Sequence, residues 1–322
     1  MTKAKLVTII CSAISALALI GLVIWMIVAQ PTVFGFNIGG VNIGGINIEN
    51  LGGTFYPRST ENINAAGIDY INVDWVAGEV RVVPHDRNYI SIVESAQREL
   101  DNNEQMSVRV SASGVTVSFI EGRRIGRMPP KNLEILVPFE LSEQLDRLGV
   151  EAISAAILVS DLTANTAAFS SISGRLELDN MNAQSLSANS TSGRVEISST
   201  SAGRLNVSSV SGSLTLRDVV TDVLSSNTVS GSSAFSGSLS SAEFESVSGA
   251  VTVTSDVVPL SFDVSTVSGA VNLTIPNEGS ISISHTAVSG RLHSEIPMTT
   301  ARGNAQFIFS SVSGNVNIHE LR

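Results

Sequence analysis

Apolar and polar residues alternate in short runs along most of this chain, and the runs recur. Leu176 and Leu178 bracket Glu177, Val195 and Ile197 bracket Glu196, and Leu214 and Leu216 bracket Thr215. The figure returns at Val251–Val253, Val271–Leu273 and Val316–Ile318, with Thr252, Asn272 and Asn317 between. A period of two predicts strands with one buried and one wet face. Each run follows a Ser-Gly pair, whose glycines are Gly174, Gly193, Gly212, Gly231, Gly249, Gly269, Gly290 and Gly314. Successive glycines are 19, 19, 19, 18, 20, 21 and 24 residues apart. A near-constant step of this size predicts an all-β parallel solenoid, in which no coil buries its apolar face alone.

The residues upstream of each glycine repeat as well. Ile172, Val210, Val229, Val247, Val267, Val288 and Val312 stand two before it. Pairs such as Ala167 with Phe169, Leu205 with Val207, Phe262 with Val264 and Phe307 with Phe309 stand seven and five before it. Each coil therefore reads as two strands meeting at a corner. Glycine is expected there because it enters positive φ without a Cβ clash. The serine hydroxyl is expected to satisfy backbone groups at the turn. Ala202-Gly203 marks a candidate for the opposite corner. The most degenerate coil runs from Ser230 to Ser248, where Ser233 and Phe235 hold the apolar places and a further Ser-Gly follows at Ser236-Gly237. Eight coils over 151–322, at about 4.8 Å each, would stack to roughly 38 Å. The final strands, Phe307 to Ile318, are expected to leave an open edge through which the solenoid end self-associates.

Between 62 and 150 a shorter-stranded β region is expected. Its strands lie around Gly78 (Ile68 to Val83), at Tyr89 to Val93, on either side of Gly114 (Ser107 to Val110 and Val115 to Ile120), and at Asn132 to Pro138. Glu140 to Leu148 reads as a helical turn or a loop. One loop carries Arg123, Arg124, Arg127 and Lys131 beside Pro129 and Pro130. This cluster is a candidate surface contact for anionic lipid or wall polymer, against the plainer reading of a solvated hairpin tip.

The N-terminus changes the picture from a soluble domain to an anchored one. Leu6 to Ala29 is a run of 24 residues without charge. As a helix it would span about 36 Å, enough for a hydrocarbon core of about 30 Å. Lys3 and Lys5 precede it and no basic residue follows before Arg58. That bias puts residues 1–5 in the cytoplasm and everything after Gln30 outside. A cleaved signal peptide is the rival reading, but its apolar core would be shorter. Residues 30–61 read as a Gly/Asn-rich linker, with a pentapeptide coil over 36–50 as the alternative.

Composition narrows the function classes. Net charge is −10 with no basic stripe, which argues against nucleic-acid binding. Cys11 is the only cysteine, so no intrachain disulfide or cysteine metal site is available. His285 falls on an inward register position and is expected to be a hydrogen-bonded core or corner residue. Glu177 and Glu196 would stand on adjacent coils about 4.8 Å apart, close to the separation of a retaining glycosidase pair. Arg175 and Arg194 flank them, so two charge pairs on a wet face are the simpler expectation. No nucleophile elbow, phosphate loop or zinc-protease motif occurs. No catalytic, cofactor-binding or metal residue is assigned, and no enzyme activity or cofactor is expected.

The strand Asn132 to Pro138, the Leu148-Gly149-Val150 step and the serial S-V-S-G coils together resemble the DUF4097 family, labelled adhesins. The resemblance spans about Asn62 to Leu321. It implies a parallel β-solenoid at a bacterial envelope, often membrane-anchored, and it links some relatives to envelope-stress sensing. The chain departs from the family where aspartate often follows the glycine: Arg175, Arg194, Ala250, Ala270, Arg291 and Asn315 stand there. The expectation is an anchored, extracytoplasmic, adhesin-like or structural module whose partner is an envelope polymer or surface protein. A sensor working through a membrane partner is the alternative, and a carbohydrate-active solenoid enzyme the remote one.

Overall fold

The computed structural model of the chain describes residues 46–48, 54–120, 126–299 and 303–322. The expected membrane helix, its cytoplasmic stub, most of the linker, Arg123 and Arg124 lie outside the described residues. Among the described residues no helix is long and apolar enough to cross a membrane. Their only helix is the four-residue turn Phe139–Ser142, where Ser142 Oγ donates to the Phe139 carbonyl. The chain is already a strand again at Leu145–Ala152, where the sequence still allowed a helical turn. The strand Tyr56–Asn64 begins inside the stretch read as linker, and Ile46–Ile48 pairs in parallel with Gly126–Met128. The chain forms two compact units, which divide between Gly203 and Arg204.

In the first unit the 19-residue step becomes register. Ile157 pairs with Leu176, and Leu176 with Val195, so equivalent side chains lie one above another. Ile157, Leu176, Leu178, Val195 and Ile197 are all buried. Each such side chain contributes about 1.5–3 kcal/mol relative to an exposed one. The β region 62–150 joins the same parallel ladders: Tyr70–Trp75 pairs with Leu145–Ala152, and Gly78–His85 with Ala156–Ser171. The stacking does not follow chain order. Tyr70–Trp75 lies between Gly114–Ser118 and Leu145–Ala152, although Gly114–Ser118 comes later in sequence than Tyr70–Trp75. This end of the stack is closed by antiparallel strands, Ser107–Val110 on one side and Tyr89–Ala96 with Tyr56–Asn64 on the other.

In the second unit Leu214–Thr228, Ser233–Ser246 and Ser261–Thr266 stack in parallel. In the degenerate coil the inward Ser233 is buried and satisfied by Ser226, Oγ to Oγ at 2.7 Å. Beside it Gly237, at φ +135°, absorbs a register shift between Leu216 and Val219. Chain order is then broken again. Ala305–Ser311 pairs with Ser261–Thr266 on one edge and with Ile281–Ala287 on the other. Val316–Glu320 is likewise held between Val271–Ile275 and Leu292–Ser294. Phe307 to Ile318 is therefore not the open edge the sequence predicted; both of its sides are paired. The physical reason is aromatic: Phe307 and Phe309 lie 5.6 and 5.9 Å from Phe262, continuing a stack from Phe244. Inserting Ile281–Ala287 there instead would bury His285 in the aromatic column.

Candidate functional site

The eight repeat glycines each sit between the end of one strand and the start of the next. Their role differs from the expected one, because none of them has positive φ. Close approach excludes a side chain instead. A Cβ on Gly193 would fall 2.0 Å from the Gly174 carbonyl oxygen of the neighbouring coil. Positive φ occurs at the opposite corner, at Asp161, Asn180, Ser199 and Asp218, again 19 residues apart. That corner precedes Gly203, which lies within the strand Ser201–Ser209. Short polar side chains tolerate the left-handed region better than branched ones.

The structure adds a column that the alternation did not reveal. Three residues before the glycine stand Ser171, Ser190, Ser209, Thr228, Ser246, Thr266 and Ser311, all buried. Gly174, Gly212, Gly231, Gly249 and Gly269 donate their N–H to the hydroxyls of Ser171, Ser209, Thr228, Ser246 and Thr266 at 2.8–3.0 Å. The exposed serine beside the glycine reaches the neighbouring coil: Ser192 donates to Ile172 and Ser230 to Val210, each at 3.1 Å. The valine just before the corner serine points outward, so Val288 is exposed and Val229 and Val247 half-buried. The corner is thus riveted inside and outside by hydroxyls.

Of the basic cluster, Lys131 is not a surface contact. It is fully buried, with its ammonium 2.6 Å from Glu94 Oε1, and Glu94 is buried too. It donates to the Glu104 carbonyl at 2.7 Å and to the Phe119 carbonyl, and it lies 4.1 Å from the Phe119 ring centroid. The Trp75 indole N–H closes the knot on the Lys131 carbonyl at 2.8 Å. Burial pushes the ammonium's pKa down and Glu94 pulls it back up. Arg127 falls in the strand Gly126–Met128.

The charged residues singled out on the coils do come together. Arg175, Glu177, Arg194 and Glu196 surround Leu176 in a shallow depression of about 340 Å³. Glu177 and Glu196 are register partners on adjacent coils. Each is tied to the arginine of its own coil, Arg175 to Glu177 at 3.1 Å and Arg194 to Glu196 at 3.2 Å. Carboxylates neutralised in this way are poorly placed to share a proton as an acid and base pair. What the depression offers is paired donors and acceptors on the outer face of two adjacent coils. On the strands before the glycines, small residues also stack between adjacent coils: Thr166 on Ser185, Ala168 on Ser187 and Ser170 on Asn189.

A second acidic step escaped the sequence reading because it needs the out-of-order pairing. Glu151 and Asp74 are register partners on a partly covered outer face. Burial, and then the Asp74 charge, push the Glu151 carboxyl up to about 7; burial raises Asp74 as well. Among the described residues no group of three or more His, Cys, Asp or Glu side chains is placed to hold a metal ion. His285 is inward and half-buried, and its Nε2 meets no hydrogen-bond partner, contrary to the expected bonded histidine.

A family profile described as Toastrack DUF4097 matches residues 68–319. The chain belongs to that family. Solved structures resemble the chain in fold. A candidate lipid-binding protein of Parabacteroides distasonis is similar at TM-score 0.53 and 14% identity, covering 86% of this chain and 100% of its own. A candidate adhesin of Parabacteroides merdae is similar at TM-score 0.52 and 11% identity, with 86% and 100% covered. At these identities the likeness is one of fold. No curated protein matches the chain.

Proposed function

We propose that this Toastrack protein is a non-catalytic, membrane-anchored module. It would hold its β-solenoid outside the cell, N-terminus in the cytoplasm, and bind an envelope polymer or surface protein there. The observation that carries the reading is the depression over Leu176, where each carboxylate is spent on its own arginine. Donors and acceptors repeating at the rung spacing of about 4.8 Å suit an extended hydroxylated chain better than a small substrate. The names of the structural relatives, one an adhesin and one a lipid-binding protein, support a surface-binding role. Anchoring rests on the 24 uncharged residues from Leu6 to Ala29.

The test is retention of the detergent-solubilised full chain on insoluble cell-wall glycan, with anionic lipid vesicles as a parallel arm. Retention on glycan is expected, with loss in the Arg175→Ala/Arg194→Ala double variant and an unchanged thermal midpoint. Failure of glycan to retain the chain, or a double variant that binds normally, overturns the reading. Release of soluble sugar fragments that stops with Glu196→Gln would make the protein an enzyme. Co-purification of a membrane protein in place of polymer would favour the regulatory reading.

A further inference from the structure

The charged face of the first unit extends beyond the depression. On the rung beside it, Ala156–Ser171 turns Ala156 and Leu158 outward, both half-buried. The next rung on that side is Gly78–His85, whose outward residues there are Glu79 and Arg81. Leu158 therefore has Arg81 as register partner on one side and Glu177 on the other. Ala156 has Glu79 on one side and, one step before the Ile157–Leu176 pair, stands beside Arg175 on the other. Glu79 and Arg81 are joined at 3.5 Å, as Arg175 and Glu177 are at 3.1 Å. Nothing local in the chain links 79–81 with 175–177; the order of the rungs does.

The uncharged rung is thus a platform with an ion pair on each side, and the two pairs run in opposite senses. A donor faces an acceptor across Leu158, and an acceptor faces a donor across Ala156. The two flanking rungs stand about 9.6 Å apart, twice the strand spacing. The Arg81 and Arg175 side chains are 47% and 53% exposed, so donors remain open to a ligand. The arrangement selects among ligands. An anion at either arginine would lie beside a carboxylate, and a cation at either glutamate beside a guanidinium. The rung is paired on both sides, so an extended peptide finds no strand edge to join. An uncharged ring with adjacent hydroxyls is served: one hydroxyl accepts from a guanidinium, its neighbour donates to a carboxylate, and the C–H face covers Leu158.

We propose that Ala156 and Leu158 are the platform of a subsite for a neutral hexose unit of a polysaccharide, held at one rim by Glu79 with Arg81 and at the other by Arg175 with Glu177. The proposal rests on the reading of the depression as a polymer-binding surface and deepens it in two ways. It narrows the polymer to an uncharged one with adjacent hydroxyls. It also carries the contact two rungs past Arg175, onto Gly78–His85, so that Arg81 and Leu158 determine which polymer is held.

The test measures retention of the detergent-solubilised full chain on insoluble cellulose and mannan, as neutral hexose polymers, and on cross-linked polygalacturonate, as an anionic one. Retention is expected on at least one neutral polymer and not on polygalacturonate, with little change as salt is raised. Leu158→Asp and Arg81→Ala are each expected to weaken that retention about tenfold with the thermal midpoint kept. Should Leu158→Asp not fold, Leu158→Ser removes the platform without adding charge, and weaker retention is again expected. Three results overturn the inference and leave the polymer reading of the depression standing: full retention by the folded Leu158 and Arg81 variants, preference for polygalacturonate, or retention on cell-wall glycan but on neither neutral polymer. Absence of retention on every polymer, cell-wall glycan included, overturns both.

Discussion

The Lys131 ammonium and the Glu94 carboxylate lie 2.6 Å apart with both side chains fully buried. Both groups are sealed from water, so each depends on the other for its charge partner. Removing one partner strands the other. Lys131→Met is expected to lower unfolding free energy by about 3–5 kcal/mol. The double variant Lys131→Met/Glu94→Leu is expected to recover much of that loss. Urea unfolding midpoints check both, and a Lys131→Met protein as stable as its parent would contradict the account.

Close approach between coils makes the corner glycines unequal to ordinary ones. Gly193→Ala puts a Cβ 2.0 Å from a backbone oxygen that cannot move without shifting a whole coil. A loss of about 3 kcal/mol is expected. Gly203→Ala meets the Gln184 carbonyl at 3.0 Å, and a small shift relieves it. Its cost should be about 1 kcal/mol. Thermal unfolding of the pair checks the ranking.

The two hydroxyls of one corner should also separate. Thr228 is buried, accepts from the Gly231 N–H at 3.0 Å and donates to the Gly231 carbonyl at 3.1 Å. Thr228→Val leaves both backbone groups without a partner and is expected to cost about 1–3 kcal/mol. Ser230 is exposed, and water replaces its hydroxyl at the Val210 carbonyl. Ser230→Ala should stay within about 0.5 kcal/mol. Equal losses would show that the inner column is not specially placed.

Glu151 gives the chain a pH response of definite sign. Its carboxyl is raised from 4.5 to about 7 in the folded state, so the unfolded state ionises first as pH rises. Stability therefore falls between about pH 4.5 and pH 7 and levels off above. Glu151→Gln is expected to be more stable than the parent at pH 8 and to lose that advantage at pH 4.5. Asp74→Asn removes only the smaller cause, so an NMR titration should find the Glu151 carboxyl lowered but still above its ordinary value.

The strands, their inward residues and the corner positions were legible because a period of two and a step of 19 residues are written directly in the chain. Leu176, Val195 and Phe262 lie where the alternation put them. Lys131 misled because charge beside two prolines reads as a solvated loop, and nothing local announces that Glu94 will meet it. The inner hydroxyl column was hidden because Ser and Thr one place from an apolar residue read as the wet side. The adjacency of Asp74 and Glu151, like the burial of Phe307, depends on which rung lies next to which, and alternation is silent on order. The steps of 21 and 24 residues before Gly290 and Gly314 were the one local sign that the last rungs differ.

The displaced order of the last rungs bears on how the molecule is made. As the nascent chain leaves the ribosome, Ile281–Ala287 emerges before Ala305–Ser311 and finds Ser261–Thr266 still uncovered. It has the alternation to dock there, in the place that the later segment finally holds. The final order sets Ala305–Ser311 between the two, so any chain that had paired them in sequence must give that pairing up before the fold is complete. A chain ending before Ala305 would have only the sequential arrangement open to it, with His285 set beside Val264 and no aromatic pair to complete the column.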